Sequence, residues 1–192
     1  MLDLFSGLGG ASQSFLENGW EIDRIENNPA LGYVPHTKIQ DVRYYTDDLE
    51  IPAGYYDLIW ASPPCLEFSM AYNAPKSVAR RENIEFEPNM ELMLEAHRII
   101  EEYQPKYWVI ENVMGAQEFF NPILGKPTQI INSFCLWGKF PRICMPPNYK
   151  HLKHDVGSKN PMRSNVRALI PIEVSEQLRR AIEEQTTLED WL

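Results

Sequence analysis

The sequence predicts an α/β protein whose core is a doubly wound, mostly parallel sheet. Short apolar runs alternate with stretches of helical spacing, which is the pattern of successive strand–helix–strand units. Several of these runs end at a glycine, a proline or an acidic residue, as strands do where they enter a loop. No internal repeat or low-complexity tract divides the 192 residues, so we expect a single domain over 1–192.

The amino-terminal part of the chain has the order of a nucleotide-binding α/β unit. The apolar run 2–5 ends in the turn 6–10, whose glycines let the backbone approach a ligand closely. Helical spacing follows as far as Gly19, a favourable helix end. Residues 20–25 then alternate like a strand that ends at Glu26, where a carboxylate can accept both ribose hydroxyls of a nucleoside cofactor.

Further apolar runs and one long helical stretch complete the predicted sheet. In chain order the predicted elements are a strand ending at 39–42, a strand at 56–60, a loop over 66–88, a helix capped by Asn89 and running to Tyr103, a strand at 107–110, a strand at 130–137 and a helix from Pro171. The stretch 141–165 has no strong period and predicts no regular element.

Composition excludes several classes of protein. A hydrophobic content of 44% is that of a globular chain, and no run of about 18 apolar residues is present to span a membrane. No basic region precedes an apolar stretch near residue 1, so we expect no secretory signal and a cytoplasmic location. The three cysteines, Cys65, Cys135 and Cys144, are an odd number without metal-ligand spacing, so neither a disulfide framework nor a metal site is expected.

The net charge of −9 conceals a strongly basic segment. Residues 121–168 hold eight Lys and Arg against one acid, Asp155, and therefore carry +7. Local positive charge interleaved with aromatic rings is what a polyanion-binding face needs, because phosphates are neutralised locally. A solvated basic loop is the alternative interpretation of this segment.

Two further motifs end strands of the predicted sheet. Pro63-Pro64-Cys65 follows the strand at 56–60, and Glu111 follows the strand at 107–110. The carboxyl ends of parallel strands meet at one edge, where ligands of open α/β sheets gather. A cysteine there can act as a thiolate nucleophile, and a partly desolvated glutamate can hold a proton near neutral pH.

The glycine-rich turn, the Pro-Pro-Cys and the Glu111-Asn112-Val113 run, in this order, resemble the DNA cytosine-5 methyltransferases. The match covers 2–113, somewhat over half the chain. It implies a Rossmann-like methyltransferase fold, S-adenosylmethionine as cofactor, and transfer of its methyl group to carbon 5 of cytosine in DNA. Protection of a genome from restriction is a role that the resemblance also implies.

The resemblance assigns roles to individual residues. Cys65 is implied as the nucleophile that adds to carbon 6, and Glu111 as the acid at N3. Glu26 is implied as the ribose ligand and Asp41 as the acid that binds the adenine amino group. The full set of implied cofactor contacts is Asp3, Phe5, Ser6, Gly7, Gly9, Gly10, Glu26, Asn27, Asp41, Val42 and Pro63.

Carbon 6 is hidden in the stack of a duplex, so the target base has to be flipped out of the DNA. The loop after Cys65 resembles the family's mobile catalytic loop. The predicted substrate contacts are Ser69, Arg80, Arg81, Asn112, Arg163 and Arg167. An exposed pair such as Arg80 and Arg81 is also an ordinary feature of a loop.

The chain departs from the family pattern in three places. Leu66 stands where the family usually has glutamine after Pro-Pro-Cys. No Gln-x-Arg-x-Arg motif is present, and Arg163 and Arg167 are the nearest substitutes for its arginine at the cytosine O2. Fewer than fifty residues separate Gly115 from Arg163, too few for the usual recognition lobe. We therefore expect 121–168 to be a reduced DNA-contacting region. Three alternatives follow: binding with little specificity, recognition of a very short site through this basic segment, or sequence recognition supplied by a second subunit.

Two other functions remain open on the sequence alone. The same chemistry can act on RNA or on a free cytidine nucleotide. Alternatively, the chain can be a non-catalytic DNA-binding subunit of a modification complex, although such a subunit needs neither Cys65 nor Glu111.

Overall fold

The computed structural model describes residues 1–45, 51–151 and 159–184 and contains one mixed sheet. The strands are β1 (Leu2–Leu4), β2 (Asp23–Glu26), β3 (Thr37–Ile39), β4 (Leu58–Ala61), β5 (Tyr107–Val113), β6 (Gln129–Ile131) and β7 (Phe134–Lys139). The helices are α1 (Gln13–Glu17), α2 (Pro75–Glu82), α3 (Glu91–Tyr103), α4 (Gln117–Leu124), α5 (Arg163–Ala168) and α6 (Ile172–Glu183), and short 3-10 turns lie at Pro29–Leu31, Val42–Tyr44 and Met114–Ala116.

The strand order is β3-β2-β1-β4-β5-β7-β6, with β1 near the centre. The first five strands of this order are parallel, and β7 runs antiparallel between β5 and β6. The predicted doubly wound, mostly parallel sheet is therefore confirmed. As a result, the carboxyl ends of β1, β2, β4 and β5 lie at one edge.

Helices cover both faces of the sheet. On one face α3 buries Met93, Ala96 and Ile100 in a cluster that includes Leu2 and Ile59. On the other face the buried side chains form a second cluster: Phe15 of α1, Val174 and Leu178 of α6, and Trp60 and Val109 of the sheet. Strands that are apolar on both faces, such as β4 with all four residues buried, are what a two-sided α/β sheet requires.

Three helices lie where the sequence predicted none. The predicted loop over 66–88 contains α2, which begins at Pro75 and buries only Ala79, so it lacks an apolar stripe to detect. Helix α4 is interrupted by Pro122, and α5 has no buried residue. Amphipathic periodicity is a signal of burial, and these short helices bury too little to produce it.

Several predicted strand boundaries are also wrong. The predicted strand at 130–137 is a hairpin of β6 and β7, in which Asn132 takes a left-handed conformation with φ of 52°. β2 begins at Asp23 instead of residue 20, and β3 ends at Ile39 before a 3-10 turn. β5 continues to Val113, so Glu111 lies inside a strand paired with β7 and not just after its end.

Two buried hydrogen bonds of Ser175 join α6 to the segment around α1. The Ser175 hydroxyl donates to the carbonyl of Ala11 at 2.8 Å and accepts from the amide of Ser14 at 3.2 Å. Because Ser175 is fully buried, water cannot replace these bonds.

Among the helices that the structure describes, none combines the length and the apolar character that a membrane-spanning helix needs.

We expect Ser175→Ala to lower the free energy of unfolding by about 1–3 kcal/mol, since it leaves two buried backbone groups unsatisfied. Urea unfolding followed by circular dichroism measures this. Ser164→Ala, in the exposed part of α5, is the matched control and should change the free energy by less than about 0.5 kcal/mol. Equal stability of the two variants would contradict the role given to Ser175.

Candidate active site

A cavity of about 180 Å³ opens at the carboxyl edge of the sheet, where β1, β4 and β5 end. Most of its wall is formed by the glycine-rich turn, the Pro-Pro-Cys segment, the end of β5 and the connection from α5 to α6, and the start of β7 and His151 add to it. The predicted site residues in this wall are Asp3, Phe5, Ser6, Gly7, Gly10, Pro63, Cys65, Glu111 and Arg167. The structure thus brings both predicted catalytic residues and most of the predicted glycine-turn contacts to one cavity.

The glycine-rich turn is shaped by left-handed backbone and by close packing. Phe5, Gly7 and Gly9 have φ angles of 58°, 55° and 79°. A Cβ on Gly10 would stand 2.3 Å from the carbonyl oxygen of Ile170, so only glycine lets the segment before α6 close over the turn. The hydroxyl of Ser6 is buried in this wall and has no hydrogen-bond partner among the described residues.

Glu26 is tied to the same turn. One carboxylate oxygen accepts from the amide of Gly7 and the other from the amide of Asn28, both at 2.9 Å. Glu26 therefore links the end of β2 to the glycine-rich turn, although neither Glu26 nor the exposed Asn27 lies in the wall of the 180 Å³ cavity.

Asp41 is engaged by its neighbour Arg43. Its carboxylate accepts from the Arg43 amide at 3.0 Å and from the guanidinium at 2.6 Å, and these contacts lower the pKa of Asp41. Asp41 and the buried Val42 are absent from the wall of the cavity. Arg43 itself lines a neighbouring cavity of about 310 Å³, which shares Pro63 and Pro64 with the first.

Cys65 is the cysteine in the cavity wall, and it is half-buried. Its segment is held by Asn112, whose side-chain amide donates to the Pro63 carbonyl at 2.9 Å. Cys135 differs: it is completely buried, and burial raises the pKa of its thiol to about 11. Cys144 is exposed and lies outside the wall. Position at the cavity thus singles out Cys65 as the candidate nucleophile.

Glu111 is a buried carboxyl group in the same wall, with 8% of the residue exposed. Burial raises its pKa to about 7, and a hydrogen bond with Ser62 opposes this rise. A group with this pKa holds a proton in a substantial fraction of molecules at neutral pH, so it can donate to a ring nitrogen.

The loop after Cys65 packs against the end of β5 through Lys76. The Lys76 ammonium donates to the Gly115 carbonyl at 3.0 Å and to Glu118 at 2.7 Å. Of the predicted substrate contacts in this loop, Arg81 donates to the Tyr72 carbonyl and stacks over the Tyr72 ring, 3.9 Å from its centroid. Arg80 is exposed on α2, and the Ser69 hydroxyl accepts from the amide of Ala71.

The structure distinguishes the two candidate arginines of α5. Arg167 lies in the cavity wall with Asn165, whereas Arg163, in the first turn of α5, does not. His151 and Phe134 also line the cavity, with ring centroids 5.2 Å apart, and sequence reasoning missed both. His151 lies in irregular chain and Phe134 is the first residue of β7. Neither residue stands next to a sequence motif that would indicate a functional site.

Most of the Lys and Arg residues of the basic segment 121–168 are exposed. Lys126, Lys139, Arg142, Lys150, Lys159 and Arg167 are exposed and Arg163 is half-buried, while Lys153 and Asp155 lie outside the described residues. In the described parts of the chain no group of three or more His, Cys, Asp or Glu is placed to hold a metal ion.

Comparisons with known proteins find similarity over the amino-terminal part of the chain. The family model of the C-5 cytosine-specific DNA methylases matches residues 1–134. Type II methyltransferase M.DdeI of Desulfomicrobium norvegicum is 29% identical over 128 residues, which are 60% of this chain and 28% of that protein. M1.HphI of Haemophilus parahaemolyticus is 31% identical over 123 residues, 58% of this chain and 32% of that protein. The chain thus spans about 30% of the length of these two relatives.

Two further similarities concern a short relative and a solved structure. Type II methyltransferase M.HgiGI of Herpetosiphon aurantiacus is 28% identical over 124 residues, which are 60% of this chain and 91% of that protein. A crystal structure of a proposed DNA modification methyltransferase from an Escherichia coli prophage covers 72% of this chain and 45% of its own, at 18% identity and a TM-score of 0.42. So low a TM-score carries no argument about function.

We expect Glu111→Gln to stabilise the protein at alkaline pH. The pKa of Glu111 is about 7 in the folded state against 4.5 ordinarily, so the folded state binds more protons between these values and its stability falls as pH rises through them. The variant should gain about 2–3 kcal/mol in free energy of unfolding at pH 8 and little at pH 4.

Urea unfolding at both pH values tests this expectation. Glu87→Gln, at an exposed glutamate, is the control and should show no such pH-dependent gain. A gain of equal size at both pH values would mean that Glu111 is not a buried acid with a raised pKa.

Proposed function

The chain belongs to the C-5 cytosine-specific DNA methylase family, and from this premise we propose that it methylates carbon 5 of cytosine in DNA through a covalent adduct of Cys65, with S-adenosylmethionine as cofactor. The observation that carries the proposal is the shared cavity: Cys65, Glu111 and the glycine-rich turn line the same space of about 180 Å³. Nucleophile, acid and cofactor loop need this proximity to act on one atom.

Cys65 and Glu111 supply complementary parts of the reaction. The Cys65 sulfur forms a bond to carbon 6, the ring electrons move toward carbon 5, and N3 takes the proton of Glu111. When bound, S-adenosylmethionine supplies an electrophilic methyl group, which the electron-rich carbon 5 accepts. A base then removes the carbon 5 proton, the sulfur–carbon 6 bond breaks as the ring double bond re-forms, and Cys65 leaves as a thiolate while N3 returns its proton to Glu111.

Several residues of the cavity wall support S-adenosylmethionine as the ligand. The hydroxyl of Ser6, which has no hydrogen-bond partner among the described residues, is available to a ligand, and a Cβ on Gly7 would meet nothing within 4 Å, which leaves room beside that backbone. The carboxylate of Asp3 stands in the same wall, where it can take the cofactor's ammonium group. Glu26 lies at the end of β2, where a ribose ligand belongs in such folds, and its contact with the Gly7 amide keeps it beside the turn.

The target cytosine has to leave the duplex to reach this cavity. Side chains of the loop after Cys65 are well placed to meet DNA: Leu66 is 67% exposed and Tyr72 is 74% exposed, close to the arginines of α2. Arg167 is a better candidate than Arg163 for the cytosine O2, because, of these two arginines, Arg167 alone lines the cavity wall.

Sequence recognition is the part of the function with the fewest candidate residues. The segment between Gly115 and Arg163 contains α4 and the β6–β7 hairpin, whose strand β7 pairs with β5, and these elements leave little chain for reading bases. We propose that the exposed basic residues of 121–168 bind phosphates, and that a second subunit contributes base contacts. Such an assembly suits protection of a genome from restriction.

Methyl transfer from labelled S-adenosylmethionine to duplex DNA, followed by nucleoside analysis, tests the proposed reaction. We expect label in 5-methylcytosine from DNA and not from RNA or dCMP offered in parallel. Label only in RNA or in the nucleotide would change the substrate, and binding of DNA without any transfer would favour the non-catalytic subunit.

A duplex with 5-fluorocytosine should trap the protein, since fluorine at carbon 5 cannot leave as a proton. We expect a covalent adduct on Cys65 that needs S-adenosylmethionine, is lost in Cys65→Ala and forms about a hundredfold more slowly in Glu111→Gln. Cys135→Ala and Cys144→Ala are the controls and should still be trapped. A peptide mass that places the adduct on either control cysteine would overturn the mechanism.

DNA affinity should fall steeply with salt, because the contacts are to phosphates. Replacing the exposed Lys150 and Lys159 together by glutamine should flatten the slope of log affinity against log salt by up to about two units. The matched control replaces Lys38 and Lys106, which are exposed but outside 121–168, and should keep the slope. Fluorescence anisotropy at several salt concentrations measures both, and a larger effect in the control would move the DNA site.

A further inference from the structure

Arg24 is a fully buried arginine beneath the glycine-rich turn. An arginine keeps its charge at any ordinary pH, and burying that charge is costly unless partners compensate it. Its guanidinium donates to the carbonyls of Pro35 at 2.9 Å and Gly9 at 3.2 Å, and its Nε donates to the Ser12 hydroxyl at 2.8 Å. Together with the side-chain oxygen of Gln13 at 3.3 Å, its acceptors therefore come from two segments, residues 9–13 and Pro35.

Ser12 connects Arg24 to the cavity wall. The Ser12 hydroxyl accepts from Arg24 and donates to the Asp3 carboxylate at 2.5 Å, so the three side chains form one hydrogen-bonded series. Asp3 and Arg24 are also direct neighbours in the pairing of β1 with β2. Among the described residues Ser12 alone has a side chain that donates to the Asp3 carboxylate.

The charge of Asp3 depends on this series. Burial raises the pKa of Asp3 to about 6, while the Ser12 hydrogen bond and the charge of Arg24 lower it and the charge of Glu26 raises it. With these partners in place the carboxylate is mostly ionised at pH 7, although only 1% of the residue is exposed. Removal of Ser12 or Arg24 would therefore raise the pKa of Asp3 further and favour its protonated form.

Arg24 also sets the position of the turn itself. A Cβ at Gly9 would stand 2.6 Å from the Arg24 Cζ, so the turn rests directly on the guanidinium. Arg24 thus has two contacts that matter for the cavity. It donates to the Gly9 carbonyl of the turn, and through the Ser12 hydroxyl it is connected to the Asp3 carboxylate.

We infer that Arg24 is a positioning residue for the cofactor: through Ser12 it orients an ionised Asp3 carboxylate in the cavity wall, and that carboxylate binds the α-ammonium group of S-adenosylmethionine. The inference rests on the proposed function. A purely structural Arg24 would stabilise the turn without distinguishing ligands that carry the ammonium group from those that lack it.

Two ligands separate these roles. S-Adenosylmethionine carries the ammonium group, whereas 5′-methylthioadenosine has the same nucleoside and lacks the amino-acid part. Calorimetry on Ser12→Ala and Arg24→Met should show an affinity for S-adenosylmethionine about tenfold lower at pH 7, the scale of a lost charge-assisted hydrogen bond. The affinity for methylthioadenosine should remain within about twofold, because no contact with Asp3 is at stake.

The pH dependence provides a second readout. Affinity for S-adenosylmethionine should decline as Asp3 takes up a proton, and in both variants this decline should begin at a higher pH than in the wild type. Titrations between about pH 5 and 7 keep the ligand's own amino group mostly protonated, since an α-amino group has a pKa near 8. Arg24→Lys keeps the positive charge and should restore part of the wild-type profile.

Ser14→Ala is the matched control, since Ser14 is a buried serine two residues along the chain that faces Arg179 instead. It should leave the ratio of the two affinities unchanged. If Arg24→Met does not fold, Ser12→Ala decides alone, because it removes one oxygen and keeps the packing. Equal loss of both ligands, or no loss of either, overturns the role of Arg24 and Ser12.

The same data keep this inference separate from the proposed function. Wild-type protein that binds neither ligand would overturn the cofactor assignment and the inference with it. Wild-type binding of S-adenosylmethionine with an unchanged affinity ratio in the variants would overturn the inference and leave the proposed function standing.

Discussion

The parallel pairing of β1 with β2 on one side and β4 on the other is the constraint on which the site depends. It brings the glycine-rich turn after β1, Glu26 at the end of β2 and the Pro-Pro-Cys segment after β4 to one edge. The β4–β5 register adds the acid, because Ala61 pairs with Ile110 and Glu111 is therefore the next residue beyond the end of β4. A shift of one residue would turn Glu111 to the opposite face.

The elements that could be predicted are those whose buried residues produce a regular apolar pattern in the local sequence. β4 is buried on both faces and appears as a continuous apolar run, and α3 presents an apolar stripe to the sheet. The helices α2 and α5 bury at most one residue each, so no stripe exists to detect. The β6–β7 hairpin was hidden because apolar residues flank a turn made by one left-handed asparagine, Asn132.

The site divides in the same way. The glycine-rich turn and Cys65 follow the ends of β1 and β4, and Glu111, although inside β5, lies level with the end of β4, so their meeting follows from the parallel sheet. Arg167 and His151 enter the cavity from chain without regular period, and only the tertiary structure brings them there. Arg24 alternates into a strand like any other polar residue, and nothing local shows that its side chain is buried under the turn.

Asp3 and Glu111 show how one cavity can hold two carboxyl groups with opposite tasks. Burial raises the pKa of both, to about 6 for Asp3 and about 7 for Glu111. Asp3 has the positive charge of Arg24 and a strong donor in Ser12, so its anion is favoured at neutral pH. The pKa of Glu111 is lowered by a hydrogen bond with Ser62 but not by a neighbouring cation, so Glu111 keeps its proton more readily than Asp3. In the proposed reaction the ionised Asp3 binds the cationic ammonium group of the cofactor, and the protonated Glu111 donates to N3. Both acids are buried, so it is their different hydrogen-bond and charge partners that produce this division.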